Sequence, residues 1–406
     1  MIGKTEPREA SVRNDKRPAS DRRRILYQGE RKPRTPMESY YYNQLDKRRQ
    51  SVYHALKTGL LARKTAIDVP RTDRKTLSDV AFLVRVECPA IFYAPTYRYR
   101  ESPQGDTTTV LPEYLFDPKR LRAHADAMRS RVEKLVRPAA NRSDEDKLLY
   151  IHDFICQNVR YDKLKKAYSH EIIGPLGQGV GVCEGIAKTV KRLCDELGVW
   201  CVVATSDNNP DRGVRYRHTW NVVRLGGQYY HLDATFDNSL GQPNAIRYDY
   251  FLLSDKQHFR DHEPAIWPVP ACTDGGRFYY RTNRLSFTKP EDVSRRTAQT
   301  IRKNRPLVFH WRGGYLTNET LASLAELIET EAANADRAVR ISVNRPQAVL
   351  RVEPLPPGER SAAAPVMERA NEGEADDGAE NPPADGAVEA IERNRPPHDN
   401  QTMENR

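Results

Sequence analysis

The sequence GVCEGIAKTV, residues 181–190, decides how this chain is interpreted, because a cysteine stands where a helix is expected to begin. From Cys183 onward, apolar residues recur at helical spacing as far as Leu197, and Gly198 suits the C′ position of a helix. The stretch therefore predicts a helix that starts at Cys183. Because Cys183 lies on the apolar face of this helix, packing of the thiol in the core is one interpretation of it.

A second interpretation of Cys183 is a nucleophile. Glycines at 177, 179 and 181 allow the backbone to turn sharply before the cysteine and leave space beside it. A thiol at a helix N-terminus is favoured as thiolate, and the first backbone N–H groups of a helix can stabilise an oxyanion. This interpretation requires a base and a group that orients the base.

A predicted hairpin downstream can supply both groups. Its strands are YRHTWNVVRL (216–225) and QYYHLDATF (228–236), and the Gly-Gly pair between them suits a two-residue turn. With the two glycines in the turn, Trp220 would lie opposite Asp233 in the neighbouring strand. The hairpin therefore predicts a defined set of side chains on each face of a sheet.

One face of this hairpin carries the candidate catalytic side chains. They are His218, Trp220, Asp233 and Thr235. His218 and Asp233 become diagonal neighbours within reach of each other. His231 shares the face and competes for the role of base, but it stands on the same strand as Asp233, two residues away. The ordinary alternatives are a satisfied sheet histidine at 218 and a turn cap at 233.

These motifs resemble the core of the transglutaminase-like superfamily, whose fold is papain-like. GVCEGIAKTVKRLCDELGV is similar to the helix that carries the family's cysteine, HTWNVV to its histidine strand and YYHLDATFD to its aspartate strand. IHDFICQNVRYD (151–162) looks like the helix before the family's active-site loop. Phe236 stands where a tryptophan is common. The resemblance covers residues 145–260.

The resemblance implies an α+β fold, in which the cysteine-bearing helix packs on an antiparallel sheet. It also implies a Cys-His-Asp triad with Cys183 as nucleophile, His218 as base and Asp233 as orienting acid. The implied reaction is attack of the thiolate on an amide carbonyl to give a thioester acyl-enzyme. Transfer of the acyl group to an amine is transamidation, and transfer to water is deamidation or hydrolysis. Trp220 and Thr235 are expected to line the site.

The acyl acceptor and the substrate stay open at this point. Gln178, five residues before Cys183, is a candidate second oxyanion donor by analogy with papain-like enzymes. The expected substrate is a protein or peptide, with a cell-wall peptide among the candidates. No cofactor and no metal are expected, because the cysteines match no zinc spacing and no EF-hand loop occurs. The alternative function is a non-catalytic binding or assembly module that retains the fold.

Composition separates a central body from two charged ends. Residues 1–37 contain eleven Lys and Arg against five Asp and Glu, whereas residues 353–406 contain thirteen Asp and Glu against five Lys and Arg. Neither end can bury enough apolar surface to offset its ordering entropy, so a disordered basic arm and a disordered acidic tail are predicted. Three domains are predicted between them: a mixed helix and strand accessory region (38–140), a catalytic core (141–270) and a small α+β C-terminal domain (271–352).

Hydrophobic periodicity predicts the remaining elements. Helices are expected at 38–66, at 117–137 and at 144–159, the last with Ser143 as N-cap. FLVRVECPAIFYA (82–94) looks more like strand and turn than helix. Other predicted strands are VWCVVATS (199–206), LVFHW, AVRISVN and AVLRV, and two helices, one starting near Pro290 and one at TLASLAELIETEAANA, complete the C-terminal domain.

The net charge of +10 describes a basic protein. A basic surface can bind nucleic acid, but no zinc-finger spacing, RNP-type motif or helix-turn-helix pattern occurs, so solvated Lys and Arg are the simpler explanation and nucleic acid is not an expected partner. No apolar run is long enough to span a membrane, and the N-terminal pattern is not that of a secretory signal. A cytoplasmic location is therefore the default expectation, and the oligomeric state is not predicted.

Overall fold

The computed structural model describes residues 39–101, 105–241, 245–356, 358–359 and 364–368. The basic arm and most of the acidic tail, both predicted to be disordered, lie outside the described residues. The α-helices are α1 (Lys47–Leu61), α2 (Arg74–Glu87), α3 (Pro118–Val136), α4 (Asp144–Asn158), α5 (Cys183–Leu197), α6 (Ala234–Leu240), α7 (Asp255–His258), α8 (Tyr279–Thr282), α9 (Pro290–Ile301) and α10 (Asn318–Ala333).

The strands form four sheets in the described part of the chain. They are β1 (Ile67–Pro70), β2 (Thr96–Glu101), β3 (Thr107–Glu113), β4 (Arg160–Tyr161), β5 (Val180–Gly181), β6 (Cys201–Ser206), β7 (His218–Leu225), β8 (Gln228–Leu232), β9 (Phe251–Leu253), β10 (Ser286–Phe287), β11 (Leu307–Trp311), β12 (Val339–Asn344), β13 (Val349–Pro354) and β14 (Val366–Glu368). Helices and antiparallel sheets occur together, which confirms the predicted α+β fold class.

The helix α5 packs on the central antiparallel sheet, whose strand order is β6-β7-β8-β9. Ile186, Val190 and Cys194 are buried along one face of the helix, as the sequence periodicity predicted. The helix ends at Gly198, whose φ of 73° favours glycine. A side-chain bond joins the two layers, since Asn221 Nδ2 in β7 donates to a carbonyl oxygen of α5 at 3.0 Å.

The hairpin of β7 and β8 has the register that the Gly-Gly turn predicted. Leu225 pairs with Gln228 next to the turn, and Asn221 pairs with Leu232 at the far end. Both turn glycines have positive φ, which suits the tight turn. This part of the prediction is confirmed, and it fixes which side chains of the two strands share a face.

The helix α2 corrects the prediction of strand and turn for residues 82–94. It continues to Glu87, and its N-cap is Asp73, whose side chain accepts a hydrogen bond from the Thr76 amide at 2.9 Å. The β-branched valines near its end favour a strand by propensity alone, but they lie buried in the main hydrophobic core. Tertiary burial therefore outweighs local preference here.

A second, C-terminal sheet has the strand order β10-β11-β13-β12-β14 and buries a core of its own against α9 and α10. The strand Val366–Glu368 runs parallel to β12. This differs from the prediction that the chain is disordered from residue 353 onward. Burial of Arg247 explains the difference, because its guanidinium donates to Glu368 at 2.6 Å and to Asp249 at 2.7 Å. The proposed domain boundaries stay a prediction.

A third sheet, with the order β1-β3-β2, lies in the predicted accessory region, together with α1 and α2. Its hydrophobic residues join the same core as those of α5 and the central sheet. Within the described residues, no helix combines the length and apolar character that crossing a bilayer requires.

Candidate active site

Cys183 is the first residue of α5, and short contacts before it fix its position. The strands β4 and β5 pair in parallel directly upstream, and the amide of Val182 donates to the carbonyl oxygen of Ser169 at 3.1 Å. That same oxygen would lie 2.1 Å from a Cβ atom added at Gly185, so only glycine fits at position 185, in the first turn of the helix. Cys183 is buried, with 8% of the residue exposed, and its thiol lies where the helix dipole stabilises negative charge.

His218 begins β7, and its ring contacts the Asp233 carboxylate. The distance from His218 Nε2 to Asp233 Oδ2 is 2.5 Å, and both side chains are buried. Burial alone would raise the pKa of Asp233. The positive charges and hydrogen bonds of His218 and His262 outweigh that effect and hold the pKa well below its usual range. The carboxylate is therefore ionised across the neutral range.

The strand predicted for residues 228–236 ends earlier than expected. β8 stops at Leu232, and Asp233 is the N-cap of α6, with Oδ1 accepting from the amides of Thr235 at 2.9 Å and Phe236 at 3.1 Å. The prediction that Thr235 shares a face of the hairpin with His218 is therefore wrong, because Thr235 is not part of the strand. Thr235 is buried in the first turn of α6, and its amide holds the carboxylate. Asp233 combines the capping role with the contact to His218.

Trp220 lies over the ring of His218, with ring centroids 6.0 Å apart and planes inclined by 12°. Its indole Nε1 donates to His231 Nδ1 at 3.0 Å, and His231 Nε2 lies 2.8 Å from Asp255. Both ring nitrogens of His231 therefore have partners other than Asp233. Of the two histidines considered as base, the structure brings only His218 to the carboxylate.

A third histidine, His262, was missed by the sequence analysis. Its Nε2 lies 2.9 Å from Asp233 Oδ2, and its Nδ1 lies 3.0 Å from Asp261. The phenyl ring of Phe236 lies 4.5 Å from the rings of both His218 and His262. The only signal in the sequence is a second histidine, His258, four residues earlier, which matches no motif.

Gln178 ends the helical turn Gly174–Gln178, and the residue itself is exposed. Gly179 follows with a positive φ of 66°, and the chain then enters β5 and reaches Cys183. The role of Gln178 as an oxyanion donor stays a prediction. The structure places this residue shortly before the thiol but gives it no contact that would assign the role.

Two sets of donor atoms in the described residues lie close enough to share a metal ion: His218, Asp233 and His262, and His231, Asp255 and Cys272. In the first set the atoms are 2.5 and 2.9 Å apart, whereas ligands around a zinc ion at about 2 Å are more than about 3 Å apart. In the second set, donation from Trp220 to Nδ1 of His231 puts the ring proton on Nε2, the atom that faces Asp255. Hydrogen bonds therefore account for both sets.

A papain-like arrangement defines the class of this fold: a cysteine starts a helix, and a histidine–aspartate pair lies at one end of the adjoining hairpin, where β7 begins and β8 stops. Residues 129–234 match the model of the transglutaminase-like superfamily, so this part of the chain is a transglutaminase-like superfamily domain. The superfamily contains cysteine transglutaminases and peptidases, and some of its members are inactive.

Two solved structures are similar to parts of the chain. One is a crystal structure of a TGase, at 15% identity and a TM-score of 0.24, covering 34% of this chain and 43% of that one. The other is a candidate cysteine protease from Cytophaga hutchinsonii, at 15% identity and a TM-score of 0.24, covering 37% of this chain and 64% of that one. The chain thus spans less than two thirds of either protein. No curated protein matches it significantly.

Proposed function

We propose that this protein is a cysteine-dependent acyltransferase that acts on amide bonds, with Cys183 as nucleophile, His218 as base and Asp233 as orienting acid. The observation that carries the proposal is the 2.5 Å contact between His218 Nε2 and the buried Asp233 carboxylate. This pair lies in a superfamily domain whose central helix starts with a cysteine. A carboxylate on one ring nitrogen fixes the tautomer of a catalytic histidine.

The first half-reaction follows from the orientation of the imidazole. Because Asp233 engages Nε2, Nδ1 of His218 would take the proton from the Cys183 thiol. The thiolate attacks the amide carbonyl carbon, and the resulting oxyanion would be stabilised by the Cys183 amide and, in our proposal, by Gln178. Collapse of the intermediate breaks the C–N bond, and His218 returns the proton to the leaving amine. The product is a thioester at Cys183.

The second half-reaction transfers the acyl group from Cys183 to an acceptor. Water gives deamidation or hydrolysis, and a primary amine gives transamidation. In both cases His218 takes a proton from the acceptor and returns it to the thiolate. The substrate in this proposal is a protein or peptide, with a cell-wall peptide among the candidates, and every step uses groups of the chain itself.

The proposal is tested by the alkylation of Cys183 with iodoacetamide as a function of pH, located by mass spectrometry, in the wild type and in His218→Ala. A thiolate–imidazolium pair makes Cys183 react below pH 7, and His218→Ala removes that reactivity. Cys156 is a matched internal control, because its sulfur also lies near an imidazole, at 3.7 Å from His152. Burial raises the pKa of Cys156 despite that neighbour, so we expect it to stay unreactive.

The same samples are then incubated with a glutamine-containing peptide, with and without a primary amine. Trapping of a thioester on Cys183, followed by ammonia release or amine incorporation, supports the acyl transfer and identifies the acceptor. If Cys183 alkylates no faster than Cys156 at pH 6, the catalytic proposal is wrong, and a binding module that retains the fold becomes the better description.

A further inference from the structure

A continuous series of hydrogen bonds runs from the C-terminal sheet to the Asp233 carboxylate. Gln347, on the turn between β12 and β13, donates through Nε2 to Asp261 Oδ1 at 3.2 Å. The same oxygen lies 3.0 Å from His262 Nδ1. His262 Nε2 lies 2.9 Å from Asp233 Oδ2, the oxygen that also contacts His218. One carboxylate oxygen therefore serves two imidazoles.

The contacts of His262 fix its protonation state. The side chain is 1% exposed, and each ring nitrogen faces a carboxylate oxygen, from Asp233 or from Asp261. Ionised carboxylates only accept hydrogen bonds, so both nitrogens donate and the ring is an imidazolium. Burial lowers the pKa of His262, but the two carboxylates outweigh this effect and raise it. Hydrogen bonds between charged groups are stronger than neutral ones.

The ring of His262 is also held by its packing. It stacks on His258 with centroids 3.8 Å apart and lies 4.5 Å from Phe236. The second oxygen of Asp261 accepts the hydroxyl of Tyr250 at 2.5 Å. The His262–Asp261 pair is therefore held on one side by the ring of His258 and on the other by the hydroxyl of Tyr250, and both of these residues are buried.

These contacts lead to an inference that rests on the proposed function of the triad. We infer that His262 is a positioning residue of the active site, and that Gln347 of the C-terminal sheet supports it through Asp261. Oδ1 of Asp233 is fixed by the N-terminus of α6, and His262 fixes Oδ2. The carboxylate can then neither rotate nor move away from His218. The C-terminal sheet thereby contributes to the geometry of the active site, although none of the three triad residues lies in that sheet.

Other titratable groups face His262 from neighbouring elements. His218 of β7 lies 5.2 Å from its ring, and Tyr250, just before β9, lies 5.5 Å away. His258 of α7 stacks on it, and burial, followed by the charge of His262, keeps the pKa of His258 well below its usual value. Among the described residues, none forms a hydrogen bond with its ring nitrogens, so His258 acts as a neutral packing surface for the imidazolium.

The test uses three variants of the full-length chain and one control. His262→Phe keeps a ring in the stack and removes both donors, and His262→Gln keeps an amide donor. Gln347→Leu removes the remote hydrogen bond to Asp261 together with the donation to the Gln257 carbonyl oxygen. His54→Phe, on an exposed part of α1, is the matched control. The readouts are the pH profile of Cys183 alkylation and the low-field proton NMR signal of the imidazole N–H between His218 and Asp233.

We expect His262→Phe to lower the alkylation rate at pH 6 by about 100-fold, because a displaced base costs rates of this order. The low-field signal should disappear in the same variant. His262→Gln should recover about a tenth of the wild-type rate, and Gln347→Leu should lose about threefold to tenfold. His54→Phe should match the wild type in both readouts. A merely structural role for His262 would lower the melting temperature without changing the pH profile or the signal.

The inference is overturned if His262→Phe keeps both the wild-type pH profile and the low-field signal. If His262→Phe does not fold, His262→Gln and Gln347→Leu serve as the test. The inference is then overturned if both of these variants keep the wild-type pH profile and the low-field signal. A failure of the proposed function can be distinguished from a failure of this inference. If the wild-type Cys183 is unreactive, the proposed function fails, but the NMR signals of the wild type and the variants can still be compared. A wild type without the low-field signal would contradict the hydrogen bond on which the inference depends.

Discussion

The substitution Asp233→Asn changes one atom and affects two histidines. In the wild type the carboxylate accepts from two backbone amides through Oδ1 and from His218 and His262 through Oδ2. In the variant the side-chain carbonyl can still cap α6, but an NH2 group faces the two imidazoles. It must donate to His218 Nε2, so the ring proton moves to Nδ1. That tautomer cannot accept a proton from Cys183.

Two magnitudes follow for Asp233→Asn. The wrong tautomer in a comparable serine triad lowers kcat by about 10⁴-fold, and we expect a loss of this order in amide turnover. In Asp233→Asn the His262 imidazolium loses one of its two carboxylates. Removal of one partner from a buried ion pair destabilises the folded state by about 3–5 kcal/mol. The expected free energy of unfolding therefore falls by about 3–5 kcal/mol.

The pH dependence of this stability change has a defined sign. The pKa of Asp233 is depressed below its usual 3.8, so its contribution is present above pH 3.8 and is lost as pH falls through the folded-state value. The pKa of His262 is raised above 6.5, so its contribution is present below pH 6.5 and is lost as pH rises through the folded-state value. The difference between wild type and variant should be largest between pH 3.8 and pH 6.5.

Urea unfolding of both proteins at pH 5.5 and pH 9, together with kcat for a peptide amide at pH 7, measures these effects. Asp126→Asn, which makes the same exchange at an exposed residue of α3, is the matched control. A kcat within about tenfold of wild type would refute the tautomer argument. An equal loss of stability at both pH values would refute the assignment of His262 as an imidazolium.

Three further substitutions, one of them with a matched control, have definite expected outcomes. Cys183→Ala should abolish thioester formation while the melting temperature changes little, as tested by mass spectrometry and calorimetry. Gly185→Ala places a Cβ atom 2.1 Å from a backbone oxygen, so it should lower the free energy of unfolding, measured in urea, by about 1–3 kcal/mol or more. Its control is Gly177→Ala, where the nearest neighbouring atom would be 3.4 Å from the added Cβ and the free energy of unfolding should hardly change. Arg247→Met should lower the free energy of unfolding by about 3–5 kcal/mol, because Asp249 is left buried without its cation; an unchanged urea midpoint would contradict this.

Local patterns predicted the parts of the fold that local interactions determine. The start of α5 at Cys183 and its end at Gly198 follow from apolar spacing and a glycine in the left-handed region. The register of β7 and β8 follows from a two-residue turn and alternation. The register alone was sufficient to predict that His218 and Asp233 lie close together.

The errors arose where distant contacts decide the outcome. The residues after Leu232 alternate in polarity as a strand does, yet Asp233 can cap a helix and receives two histidines there. His262 lies 29 residues from Asp233 in the chain, and no spacing rule links the two positions. The roles of Cys183 and Gln178 stay predictions, because a role in catalysis depends on chemistry that the fold alone does not define.

The edge of β8 limits how far the chain can be shortened. The superfamily match ends at residue 234, but β8 pairs on its outer side with β9, where Leu232 lies opposite Phe251. A fragment cut at 234 would expose an unpaired, apolar strand edge, which is a template for aggregation. It would also lack His262 and Gln347. The smallest fragment worth expressing therefore extends at least to the end of β13 at Pro354, because β13 pairs with both β11 and β12; this is more than a hundred residues beyond the recognisable domain.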